Sequence, residues 1–139
     1  MLGIAAQALL GLALLGAGTG HLTVLREEFH AQVPTWVPLD TDFVVVASGV
    51  VEVVLGLALL LVWRQPARGL AGAVVAAFFV AVFPGNVAQF TEHRDAFGLD
   101  SDLARGVRLL FQPLLVAWAL LATGAIPVLR TQIRRLRRP

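Results

Sequence analysis

The amino-acid sequence predicts an all-α protein, a bundle of four membrane-spanning helices. The chain of 139 residues is 58% hydrophobic and only 14% charged, whereas soluble domains average about 25% charged residues. The charged side chains are also confined to short stretches, which leave four apolar runs of 21 to 25 residues. A helix of about 20 residues is long enough to cross a bilayer. Composition and pattern together exclude an ordinary soluble globule.

The first span is predicted at about 2–25. It begins without Lys or Arg and is longer than the apolar region of a signal peptide, so we interpret it as a retained membrane helix. The second and third spans, at about 43–63 and 69–90, are joined by a tight turn because Pro66 would interrupt one continuous helix. The fourth span is predicted at about 107–129.

The connection between the first two spans, 26–42, differs from a plain loop. Its apolar residues Phe29, Val33 and Trp36 alternate with polar groups. An amphipathic segment with a tryptophan suits the membrane interface, so we expect it to lie across the outer mouth of the bundle. A hydrophobic hairpin that merely shortens the exposed loop is the alternative.

The two ends of the predicted bundle differ in charge. The N-terminus, the 64–68 turn and a basic tail at 130–139 carry seven arginines and no acid, whereas the other side holds eight acids and four arginines, with Arg108 at the outer end of the fourth span counted among them. The positive-inside rule then places both termini in the cytoplasm. The chain has arginine but no lysine, and it is rich in Ala, Val, Leu and Gly. We therefore expect a single integral membrane domain, residues 1–139, in a bacterial inner membrane, with no nucleic-acid partner.

Each predicted span carries a polar side chain in its outer half. From a rise of about 1.5 Å per residue, His21, Asn86 and Gln112 lie about 6 to 7 Å below the outer ends of their spans. Glu52 lies about 13 Å deep, near the middle of its span. Arg108 is one turn above Gln112 on the same face. Polar groups that face lipid are costly, so the sequence predicts one inward polar pocket with Glu52 at its floor.

The roles of these five residues have alternatives. Glu52 and His21 are candidates for proton handling or ligand binding, or they form a buried hydrogen-bonded pair that only specifies packing. Asn86 and Gln112 either contact a ligand or bond across helices, and Arg108 either joins the pocket or extends to the interface. Haem is not expected, because one intramembrane histidine is a weak signal for it.

Small and amide residues suggest how the helices pack. Gly16 and Gly20 form a GxxxG pair in the first span, a spacing that lets helix backbones approach closely in lipid. Gln7 and Gln89 are interpreted as isolated packing or interface residues.

Several chemistries lack the residues that they need. The chain has no cysteine, which excludes thiol–disulfide exchange, iron–sulfur clusters and thiolate-bound zinc. The sequence contains no GxGxxG, P-loop, HExxH or GxSxG motif. No metal site is therefore expected.

At these polar positions the chain resembles the DoxX-like family of small four-helix membrane proteins, in the DoxX/DoxD group. The resemblance lies in four stretches that touch all four spans: GAGTGHLTVLREEFHAQVPTWVP, VASGVVEVVLGLALL, AVFPGNVAQF and RLLFQPLLVAWAL. It carries the family's intramembrane polar positions onto His21, Glu52, Asn86, Arg108 and Gln112. Gly85 stands where the family's FPAN form has alanine, another small residue.

The resemblance implies a cytoplasmic-membrane protein with a link to quinones. The family name comes from a subunit associated with quinol oxidation and thiosulfate:quinone oxidoreduction, and other relatives look like anchors for redox proteins. Our first hypothesis is a pocket for a small lipophilic molecule, with a quinone as first candidate, in an accessory subunit that a redox partner supplies with electrons. The alternatives are a structural anchor, with a homo-oligomer left open, or an acid/base enzyme that uses Glu52 and His21.

Overall fold

The computed structural model describes residues 2–137, and that part of the chain forms six helices. They are α1 (Leu2–Leu22), α2 (Arg26–His30), α3 (Thr41–Leu61), α4 (Ala67–Thr91), α5 (Asp102–Thr123) and α6 (Ala125–Leu136). Four of them, α1, α3, α4 and α5, are long and apolar enough to cross a membrane. The predicted all-α fold with four candidate spans is confirmed.

The predicted fourth span, 107–129, is wrong at both ends. The helix α5 begins five residues earlier, where the hydroxyl of Ser101 accepts a hydrogen bond from the backbone N–H of Ala104 at 3.2 Å. It ends at Thr123 because Gly124 turns the backbone into the left-handed region, at φ 69°. The predicted basic tail is therefore mostly helical, within α6. Residues 138 and 139 of that tail lie outside the described residues.

The spans form a ring in the order α3, α1, α5, α4. The helix α1 packs chiefly against α3 and also against α5, while α4 packs chiefly against α5. The helices α3 and α4, although consecutive spans, have much less contact. We call the end that holds residues 62–66 and α6 the basic end, and the end that holds residues 23–40 and 92–101 the acidic end.

Four glycines bring α1 and α3 into direct backbone contact. A Cβ atom placed on Gly18 would lie 2.7 Å from the carbonyl oxygen of Gly49, and one placed on Gly56 would lie 2.8 Å from that of Gly11. Both distances are shorter than real Cβ contacts. Small residues allow this approach in a setting where lipid offers no hydrophobic drive between helices.

The GxxxG pair predicted at Gly16 and Gly20 does not make this contact. A Cβ atom on Gly16 would meet nothing within 4 Å, and one on Gly20 would meet only Leu25. The contacting glycines, Gly11 and Gly18, are instead seven residues apart. A spacing of seven returns to the same helix face after about two turns, so it serves the same purpose as a spacing of four.

The hydrophobic core occupies the half of the bundle near the basic end. Its buried members come from all four spans: Leu10, Leu14, Leu55, Leu59, Val75, Ala76, Phe79 and Ala119. Beside it, fully buried Gln7 donates to the carbonyl oxygens of Leu59 at 2.7 Å and Val62 at 3.0 Å. Its own Oε1 accepts from Nε of Arg68 at 2.5 Å. Gln7 is thus not isolated, because it links α1 to α3 and α4.

Arginines fix the connections at the acidic end. One guanidinium nitrogen of Arg94 donates to three carbonyl oxygens of the first connection, at 2.9 to 3.4 Å. Arg105 is buried and binds Asp95 at 2.6 Å and Asp102 at 2.8 Å. The hydrogen bond to the Asp42 carboxylate raises the pKa of Arg26 above its usual value. These bonds hold residues 26–40 against the end of the bundle.

We predict that Gly18→Ala destabilises the bundle and that Gly16→Ala, two residues away in α1, does not. The methyl group of Gly18→Ala would push α1 and α3 apart, at a cost of about 1–3 kcal/mol. The methyl group of Gly16→Ala meets open space and should stabilise the helix by up to about 1 kcal/mol. Equilibrium unfolding of both variants in mild detergent measures the difference. Equal stabilities would contradict the direct α1–α3 contact.

Candidate functional site

A cavity of about 390 Å³ lies between the four spans, beyond the core and toward the acidic end. Its volume falls in the range of small-molecule sites, about 300 to 1,000 Å³. All five polar residues singled out from the sequence line it: His21, Glu52, Asn86, Arg108 and Gln112. Most of the remaining wall is apolar, with Leu14, Val45, Phe79 and Leu115 among its members. The structure therefore brings the predicted site residues together around one space.

His21 and Glu52 form a buried pair within the α1–α3 contact. Nδ1 of His21 lies 2.6 Å from Oε2 of Glu52, and the two residues are 6% and 8% exposed. Gly49 makes this possible, because a Cβ atom at that position would lie 2.6 Å from Cβ of His21. Glu52 follows Gly49 by three residues and so faces α1 from the same side of α3. Because Gly49 has no side chain, His21 can approach α3 closely enough to reach Glu52.

An aromatic stack covers this pair at the acidic end. The ring of Phe29, in α2, has its centroid 3.4 Å from that of His21, and Phe97 packs edge-on against Phe29 at 4.7 Å. The backbone N–H of Phe97 donates to Oε2 of Glu28 at 2.6 Å, which ties the two connections together. The stack closes the space above the imidazole.

The first connection forms the cover of the cavity. Its lining residues are Phe29, Gln32, Val33, Pro34, Trp36 and Val37. These residues place part of the first connection against the cavity, at the acidic end of the bundle. The sequence did not identify these residues as part of the site, although their alternating apolar pattern was the available signal.

Gly85 has a specific role in this cover. A Cβ atom at this position would overlap the carbonyl oxygen of Gln32. The first connection therefore lies directly on α4 only because residue 85 has no side chain. Alanine, as in the FPAN form, is also small, but its Cβ atom would not fit here unless the first connection moved.

Asn86 and Gln112 form a second buried pair, between α4 and α5. Nε2 of Gln112 donates to the carbonyl oxygen of Phe79 at 2.6 Å, which leaves its Oε1 to accept from Nδ2 of Asn86 at 3.1 Å. A carbonyl oxygen only accepts, so this chain of bonds fixes both amide orientations. Oδ1 of Asn86 is then buried without a hydrogen-bond partner among residues 2–137. Asn86 thus lines the cavity and carries an acceptor without a partner in that range.

Arg108 carries hydrogen-bond donors without partners among the described residues. It lies one turn from Gln112 on α5, is half-buried, and has neither a hydrogen bond nor an ion pair within the part of the chain that the structure describes. Its guanidinium group carries five N–H donors and a permanent charge. The cavity therefore offers donors at Arg108, an acceptor at Asn86 and an acid–imidazole pair at Glu52 and His21.

The arrangement suits an uncharged or weakly acidic polar head on an apolar body. In the described range, 2–137, no group of three or more His, Cys, Asp or Glu side chains is placed to hold a metal ion. Binding by hydrogen bonds and apolar contact is the chemistry that the lining supports.

One family model matches the chain, that of a domain of unknown function, DUF8561, over residues 10–123. The matched region runs from α1 to the end of α5 and includes every polar residue of the cavity. No curated protein and no solved structure matches the chain.

We predict that His21 and Glu52 are strongly coupled in stability. Each single change, His21→Leu or Glu52→Leu, leaves the other polar group buried and alone, which costs about 3 kcal/mol. The double variant should cost less than the sum of the single changes, by about 1–3 kcal/mol. Unfolding in detergent gives the four free energies.

The exposed pair His93–Asp102, whose atoms are 2.8 Å apart, is a matched control. Both side chains are more than half exposed, so water screens their interaction and the same cycle should show little coupling. Only the coupling is compared, because the change of Asp102 alone also removes a partner of buried Arg105. If the losses in unfolding free energy at His21 and Glu52 simply add, the two side chains do not stabilise each other as a buried pair.

Proposed function

The chain belongs to the DUF8561 family, and we propose that it is a membrane protein that binds a small lipophilic molecule in the cavity between its four spans. One observation carries the proposal: Asn86 lines the same cavity as Arg108, and its Oδ1 is buried without a hydrogen-bond partner within residues 2–137. Buried polar atoms that lack a hydrogen bond are costly, typically by about 1–3 kcal/mol. A ligand that supplies the missing partners would remove that cost.

A quinone is the first candidate for this ligand. Its carbonyl oxygen would accept from Arg108, and the hydroxyl group of its reduced form would donate to Oδ1 of Asn86. The ring would lie among apolar side chains such as Phe79 and Leu115. The resemblance to DoxX-like proteins supports the same class of ligand.

The proposal assigns proton handling to Glu52 and His21. Reduction of a quinone takes up protons as well as electrons, and a carboxyl group hydrogen-bonded to an imidazole can pass a proton in either direction. The chain has no cysteine to hold an iron–sulfur cluster, so electrons would come from a redox partner. The protein would act as an accessory subunit.

The proposed membrane is the bacterial inner membrane, with both termini in the cytoplasm. The basic end carries Arg64, Arg68 and the arginines of α6, which the positive-inside rule places on the cytoplasmic side. The cavity then lies in the outer half of the bilayer. Residues 26–40 would lie at the outer interface, where Trp36, 71% exposed, suits the headgroup region.

Two alternatives have observations in their favour. Four of the five polar residues already form hydrogen-bonded pairs, as expected if their role in a structural anchor is to hold the helices together. The 2.6 Å contact of His21 with Glu52 also suits an acid/base enzyme, which would turn over a lipophilic substrate without a redox partner.

Mass spectrometry of the organic extract from the purified protein tests for a resident ligand. We expect a stoichiometric lipophile in the wild type, and its loss in Asn86→Leu and Arg108→Gln. Arg64→Gln is the matched control, because Arg64 is exposed and lies at the basic end, away from the cavity. The same phospholipids in all four samples, and nothing else, would favour the anchor.

Titration with short-chain quinone and quinol analogues tests the ligand class. Trp36 lines the cavity, so the share of the intrinsic tryptophan fluorescence that comes from Trp36 should be quenched on binding, while Trp63 and Trp118 provide a constant background. Asn86→Leu removes the acceptor and keeps the branching of the side chain, and it should weaken quinol binding about tenfold, the equivalent of one hydrogen bond to a buried group. Quinone binding should change less. Equal weakening of both forms would contradict the assigned role of Oδ1.

A further inference from the structure

The helix α6 is attached to the bundle at its first residues. Ala125 is fully buried, and a Cβ atom placed on Gly69 would lie 2.7 Å from Cγ2 of Val128. The start of α6 therefore packs against the start of α4 at the basic end. The left-handed turn at Gly124 separates its direction from that of α5.

The remainder of α6 is basic and exposed. Arg130, Arg134 and Arg137 follow one another at spacings of four and three, which puts them on one side of the helix. None of them has a hydrogen bond or ion pair with another residue in the range 2–137. No acidic residue follows Asp102 in the sequence, so the chain offers no local charge to neutralise them.

An exposed apolar strip runs beside these arginines. Ile133 is 49% exposed and Leu136 is 86% exposed. Ile133 lies three residues from Arg130 and three residues from Leu136, so the apolar strip adjoins the arginine side along the helix. A short helix with arginines beside exposed aliphatic residues is typical of a segment that lies in the plane of a membrane surface.

We propose that α6 is a binding surface for anionic phospholipid headgroups in the leaflet at the basic end. The arginines would contact the phosphates, while Ile133 and Leu136 would enter the boundary of the acyl chains. A nucleic acid would neutralise the same charges but would leave both aliphatic side chains in water. The bilayer is also within reach, because α6 begins directly after a helix long enough to span it.

The absence of native cysteine allows a local test on the full-length protein. Leu136→Cys is labelled with an environment-sensitive fluorophore, and the protein is placed in nanodiscs of phosphatidylcholine with or without about 30 mol % phosphatidylglycerol. We expect the label to be protected from an aqueous quencher only with the anionic lipid. Thr131→Cys, on the opposite side of α6, is the matched control and should stay accessible in both lipids.

Charge removal gives the second arm of the test. The triple change Arg130→Gln, Arg134→Gln, Arg137→Gln should abolish the protection, as should about 1 M salt, which shortens electrostatic range to about 3 Å. Each arginine near an anionic surface contributes about a fivefold effect on binding, so the triple change is expected to exceed fiftyfold.

The remaining outcomes would overturn the proposal. Protection of the Leu136→Cys label in phosphatidylcholine alone would show apolar insertion without anionic lipid. Accessibility in both lipids would leave the surface free for a protein or nucleic acid. Unchanged intrinsic tryptophan fluorescence in every variant confirms that the bundle itself stays folded.

Discussion

The backbones of α1 and α3 touch at four glycines, and the polar chemistry of the protein depends on that contact. At Gly49 the missing side chain leaves room for His21, whose imidazole then reaches Glu52 on the next turn of α3. A wider separation of the two helices would leave a carboxylate at membrane depth without its partner, which is a costly arrangement. The cover of the cavity also depends on this contact, because Phe29 packs on the imidazole of His21.

The interior of the bundle is divided by depth into a packed part and an open part. Near the basic end, aliphatic side chains from four helices fill the space between the spans. Toward the acidic end, polar side chains and the first connection surround a cavity instead. Two polar pairs satisfy most of one another's hydrogen bonds, whereas Asn86 Oδ1 and Arg108 remain unused among the described residues. The proposed ligand site rests on that imbalance.

The sequence alone predicted the membrane-spanning segments and the depth of the polar residues within them. Long runs with at most one charged residue predicted the four candidate spans, and depth along each helix predicted that His21, Glu52, Asn86 and Gln112 would face a common interior. It could not predict which atoms stay unpaired, because amide orientation depends on the carbonyl oxygen of Phe79, a contact between distant parts of the chain.

Glycine positions were harder to interpret. The chain has 13 glycines, and spacing alone does not say which of them face a neighbour. The end of α5 was missed for a related reason, since Gly124 inside an apolar run looks like any membrane-helix glycine. Its left-handed conformation becomes visible only in three dimensions. The link to DoxX-like proteins and to quinones stays a prediction.

Each polar pair belongs to one pair of neighbouring helices, His21–Glu52 to α1 and α3, and Asn86–Gln112 to α4 and α5. During synthesis the first helix pair emerges before the second. Each pair can therefore enter the bilayer with its deepest polar side chains already bonded to one another, without waiting for the other half. Near the basic end the two halves meet through the apolar core and through the hydrogen bond between Gln7 and Arg68, and the cavity lies between them toward the other end.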